Sequence, residues 1–167
     1  MNPDPLNVPQ EPKLLEIKKM VVVIGFSAGG LEPLQTFFKA LPEKIEATFI
    51  VYEHFPETQE SHLPEIIKRA TTLPVTIAKN GTPLESSHIY LLPANSTFLL
   101  RNRHLVESSQ SRPHAATMKF DALLESLAEQ SAENSVAIIL SGSGSDGARG
   151  ARAVKQEAGL VMVQSPE

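Results

Sequence analysis

The chain contains no cysteine and no tryptophan. The first absence removes disulfide staples, thiolate metal sites and cysteine nucleophiles together, so the fold must rest on packing. No apolar run approaches the roughly 18 residues that cross a bilayer, and the N-terminus lacks a charged segment followed by an apolar one. Membrane insertion is therefore not expected, and the cytoplasm is the expected compartment. Lys and Arg form no cluster and the formal net charge is -4, which argues against nucleic acid as the main partner. His62, His88, His104 and His114 form no H-x-x-x-H or H-E-x-x-H pattern, so no metal site is expected. There is no Gly-Lys-Ser/Thr, which excludes a nucleoside-triphosphate P-loop.

What is present suits one globular domain: 167 residues, 41% of them hydrophobic, enough to bury a core. Residues 1–19 carry Pro3, Pro5, Pro9 and Pro12 with little apolar periodicity, and are expected to form a mobile leader to a single domain over 20–167. From Met20 strands and helices alternate. Strands are expected over 21–24, 47–52, 75–78, 88–92, 136–140 and 160–163, and helices over 31–41, 61–70, 119–130 and 146–157. Pro42 should end the first helix. Strands over 97–100 and 105–107 flank Asn102-Arg103 and read as a hairpin, since asparagine tolerates a left-handed turn position. The alternation implies an α/β fold with a doubly wound, mostly parallel, Rossmann-like sheet and a local antiparallel β-hairpin.

The densest motif is Gly25-Phe26-Ser27-Ala28-Gly29-Gly30, directly after the apolar run Met20 to Ile24. A serine on a sharp strand-to-helix turn exposes its Oγ, and G-x-S-x-G is the spacing of a nucleophile elbow. Gly25 and Gly30 also approximate a dinucleotide fingerprint, with Glu53 about twenty residues on as a ribose partner, although Ser27 stands where bare backbone should approach the pyrophosphate. Thirdly, a small hydroxyl here can satisfy free N–H groups at a helix start. The motif alone leaves nucleophile, nucleotide site and cap open.

Sequence position becomes spatial position in a parallel sheet, because ligands bind beyond the carboxyl ends of the strands. Ser27 follows the first strand, His54 the second, and Asp146 the strand over 136–140 across the loop Ser141-Gly142-Ser143-Gly144-Ser145. An oxygen nucleophile, an imidazole to take its proton and a carboxylate to orient the imidazole are what acyl transfer requires. Each residue also has a plainer reading. A lone histidine more often closes a strand at the surface, and Asp146 sits where the cap of the following helix belongs. Gly142 and Gly144 free backbone N–H groups to point into the crevice, where they can supply an oxyanion donor or cradle a phosphate. Glu53, Glu57, Glu60 and Glu65 read as solvated charge, Glu53 also being placed to hydrogen-bond within the site.

Four segments in order resemble the CheB methylesterase family: Val23 to Glu32, the strand ending in His54, Ile89-Tyr90-Leu91-Leu92-Pro93-Ala94-Asn95, and Ile139 to Gly147. The resemblance spans nearly all of Met20 to Glu167. It implies a protein-glutamate methylesterase that hydrolyses γ-glutamyl methyl esters on chemoreceptors and can deamidate glutamine. By position, Ser27 is then the nucleophile, His54 the general base and acid, Asp146 the orienting carboxylate, and the Ser143 N–H a part of the oxyanion hole. No cofactor is implied, since water is the second substrate. Only the short leader precedes the esterase-like region, so gating by an N-terminal receiver domain is not expected. The pattern is most similar to the esterase segment at the front of CheB/CheR fusions, which implies a methyltransferase domain in the parent protein and a C-terminal segment beyond Glu167. Departures are Ala28 where some members carry a hydroxyl, Ser143 where methionine is common, and Met118-Lys119-Phe120-Asp121 in place of a more proline-rich stretch. Two further readings stand beside the esterase: a non-catalytic regulatory or binding module of the same fold, and a nucleotide-binding α/β domain.

Overall fold

Among the described residues, six parallel strands form the main sheet, and two of them read as unbroken apolar runs because both faces of the sheet are covered. β1 (Met20–Phe26) is buried at every position after Met20, and β2 (Ala47–Glu53) at every position before Glu53. The computed structural model describes residues 19–27, 29–54, 61–94, 96–108, 118–141 and 144–165. With β3 (Val75–Ile77), β5 (His88–Leu91), β8 (Ser135–Ile139) and β9 (Leu160–Val163), the sheet has the order β3-β5-β2-β1-β8-β9. Every pairing in it is parallel. The chain leaves β1 toward β2 and later returns to the other side of β1 as β8, so the order reverses at β1, where a doubly wound sheet opens its ligand crevice.

Among the described residues, four α-helices cover the sheet. α1 (Leu31–Lys39) and α2 (Leu63–Ala70) turn Leu34, Phe38, Leu63 and Ile67 onto one face, where they meet Val22, Ile24, Phe49 and Val51. Spacings of three and four residues between the buried positions account for the helical form. α3 (Lys119–Ser131) and α4 (Ala148–Gln156) cover the opposite face, α3 through Phe120, Leu123, Leu124 and Leu127 and α4 chiefly through Val154. α1 stops two residues short of the expected end, ahead of Pro42.

The expected hairpin is present as β6 (Phe98–Arg101) and β7 (His104–Glu107), with Arg101 paired to His104 across a two-residue turn. Asn102 and Arg103 both have positive φ, 45° and 60°, the backbone that matches strand twist in a tight hairpin. A third strand, β4 (Thr82–Pro83), joins β7 and makes this a separate three-stranded antiparallel sheet. At two residues, one of them proline, it carries no period for a sequence reading to detect.

Candidate active site

β1 and β2 end side by side, and the residues after them form one wall of a cleft of about 260 Å³. Ser27 is locked by its backbone on both sides. Its N–H donates to the Ser141 carbonyl at 3.0 Å, and its own carbonyl accepts the Gly30 N–H at 2.9 Å. His54 continues the β1–β2 pairing by donating its N–H to the Phe26 carbonyl at 2.8 Å, and stands exposed at the rim. Asp146 comes from the segment between β8 and α4. Ser27, His54 and Asp146 all line the cleft.

Among the described residues the three side chains do not hydrogen-bond one another. The Ser27 hydroxyl donates instead to the Ser141 carbonyl at 3.3 Å. That peptide is held in turn, because the Ser141 N–H donates to Oε1 of Gln164 at 2.9 Å, just past the end of β9.

Asp146 is a helix cap, but of a different helix from the one that follows it. Its Oδ2 accepts the Phe120 N–H at 3.1 Å and its Oδ1 the Asp121 N–H at 2.8 Å, both in the first turn of α3. The N-cap of α4 is Gly147, which makes no side-chain cap. A carboxylate is favoured at such a helix start by the free N–H groups and the helix dipole.

The inner wall is aromatic. Tyr52 and Phe120 stack with ring centroids 5.2 Å apart, and both line the cleft. Burial, and then the neighbouring Asp146 carboxylate, push the Tyr52 phenol well above its ordinary range, so it remains a neutral hydroxyl. Tyr52 and Gln164 escape a motif-based reading, and Phe120 and Asp121 stood out only within a stretch that departs from the family pattern. Tyr52 carried a signal, being two residues before His54 and so on the same side of its strand.

The remaining sequence candidates separate. Gly144 lines the cleft at φ 135°, whereas Gly142 and Ser143 lie outside the described residues. Glu53 does not line the cleft, and its carboxylate accepts the Ser61 hydroxyl at 2.6 Å, which leaves the nucleotide reading without its ribose partner. His88 opens β5 at the other end of the sheet, bonded to Thr76 and stacked on Tyr90.

Fold and cleft together define a doubly wound α/β domain whose polar chemistry is gathered at the carboxyl edge of the sheet. The chain belongs to the CheB methylesterase family, whose model matches residues 22–167. Among solved structures it is similar to the CheB methylesterase catalytic domain of Thermotoga maritima, with a TM-score of 0.73 and 28% identity, covering 87% of this chain and 79% of that one. A curated relative in Pseudomonas aeruginosa, protein-glutamate methylesterase/protein-glutamine glutaminase 3, is 30% identical over 92% of this chain and 46% of its own length. In Leptospira interrogans a putative protein-glutamate methylesterase/protein-glutamine glutaminase is 26% identical over 87% of this chain and 76% of its own length. The chain thus spans about half of the Pseudomonas relative.

Proposed function

We propose that this domain hydrolyses glutamyl methyl esters on chemoreceptor-type signalling proteins in the cytoplasm, and deamidates glutamine at such sites, through Ser27, His54 and Asp146. The observation that carries the reading is the meeting of these three residue types in one cleft at the carboxyl edge of the sheet. The family, and the names borne by its relatives, supply the substrate class.

In this mechanism the Ser27 hydroxyl turns from the Ser141 carbonyl to His54. Its oxygen attacks the γ-carbonyl carbon while His54 takes the proton, and Asp146 stabilises the imidazolium. Backbone N–H groups of Gly142, Ser143 and Gly144 receive the oxyanion. Collapse breaks the bond to methoxide, which leaves as methanol with the proton from His54, or as ammonia from an amide. Water, deprotonated by His54, then cleaves the acyl-enzyme and restores Ser27. A methyltransferase in the parent protein would supply the ester that this site removes.

The test is hydrolysis of a methylated receptor fragment. Ser27→Ala and His54→Ala should each lower the rate by about three orders of magnitude or more with the circular-dichroism spectrum unchanged. Wild-type turnover in either variant sinks the mechanism. The Ser27 hydroxyl bonded to Ser141 rather than to His54 is what a non-catalytic module would also display. Saturable binding of the fragment with no wild-type turnover would establish that reading instead.

A further inference from the structure

Two aspartates hold each other's helices. Asp146, just before α4, accepts the first-turn N–H groups of α3 from Phe120 and Asp121. Asp121, in the first turn of α3, accepts two N–H groups at the start of α4 on its Oδ1: that of the N-cap Gly147 at 3.0 Å and that of Gly150 at 2.7 Å. Neither helix takes a side-chain cap from its own N-cap residue, Met118 or Gly147. Asp121 is only 3% exposed and does not line the cleft.

The exchange makes the place of Asp146 depend on Asp121. Gly147 and Gly150 are buried, so removing their acceptor leaves two N–H groups with no water to replace it. Gly147 adjoins Asp146 in the chain and has φ 104°, a conformation that its N–H bond to Asp121 helps to hold. The two helices are also close at Gly150, where a Cβ would come within 2.9 Å of the Asp121 carbonyl oxygen.

We propose that Asp121 is a positioning residue of the active site, fixing the Asp146 carboxylate through the Gly147 N–H without touching substrate. The proposal rests on the triad reading for its catalytic consequence, and on the four hydrogen bonds alone for its structural one.

Three variants in the intact chain test it. Asp121→Asn keeps an oxygen acceptor without the charge, Asp121→Glu keeps the charge but moves it by one methylene, and Asp121→Ala removes both. The first measurement is the rate at which a fluorophosphonate labels Ser27, the Ser27 oxygen bonding to phosphorus as fluoride leaves and His54 takes the proton. The second is amide hydrogen exchange at positions 120 and 121, whose acceptor is Asp146 and not the altered residue. Asp121→Asn should label within about fivefold of wild type. Asp121→Glu and folded Asp121→Ala should label about a hundredfold more slowly, the scale of a misplacement near 1 Å. Both should exchange at least about tenfold faster at positions 120 and 121, the mark of a local opening at the cap. Should Asp121→Ala fail to fold, the asparagine and glutamate variants decide, and equal rates in the two overturn the proposal. Unchanged exchange in folded Asp121→Ala or in Asp121→Glu overturns it as well. If wild-type Ser27 takes no label, the hydrolase reading falls and exchange alone decides the positioning.

Discussion

Phe120 is the side chain against which the cleft is assembled. Its ring is 4% exposed, stacks on Tyr52, and lies against two glycines that would otherwise collide with it. A Cβ on Gly25 would sit 2.2 Å from its Cζ, and one on Gly147 would sit 2.5 Å from its Cδ1. Gly25→Ala should therefore cost about 2 kcal/mol, the usual scale of overpacking, and slow hydrolysis by displacing a ring that lines the cleft. Denaturant unfolding measures the first effect. Adding Phe120→Leu should recover part of the lost stability, because the two positions share one space. In the sequence Gly25 was visible as a flank of the serine motif. Its actual constraint comes from an aromatic ring on α3, a contact that no local spacing encodes.

At the scale of elements, the apolar periods were legible and the helix caps were not. Leu34 with Phe38, and Leu63 with Ile67, repeat at helical spacing, which brings α1 and α2 within two residues of their expected starts and ends. Asp146 has the right chemistry for a cap, and sequence proximity assigned it to α4, whereas it serves α3 across the helix pair. The consequence is measurable. Ser27→Ala removes a half-buried hydroxyl whose bond is long, and should leave stability within about 0.5 kcal/mol of wild type. Asp146→Ala should remove activity and also about 1 to 2 kcal/mol, the value of a lost N-cap. Thermal unfolding of the two variants side by side checks this, and equal melting temperatures would mean that the cap is idle.

For the whole molecule, the strand-helix alternation announced a doubly wound sheet, and β8 inserting beside β1 brought the Ser141 carbonyl onto Ser27. Burial of polar rings in that sheet also sets how stability responds to pH. Burial raises both tyrosines. At Tyr52 the Asp146 carboxylate adds to the effect, and at Tyr90 so does Glu85, while the Glu85 N–H bond and Arg103 oppose it. Above about pH 10 the unfolded chain begins to lose its phenol protons while the folded chain keeps them. The unfolded state then binds fewer protons, and stability falls as pH rises. On the acid side, burial lowers His88 against the opposing pull of Glu85. Its contribution is fully present above about pH 6.5 and is lost as pH falls, because the unfolded chain takes up the proton first. The melting temperature should accordingly decline at alkaline pH from about 10, and Tyr52→Phe should flatten that decline by removing the more strongly shifted phenol. An alkaline limb of equal slope in Tyr52→Phe and wild type would show that the Tyr52 proton is not what folding holds.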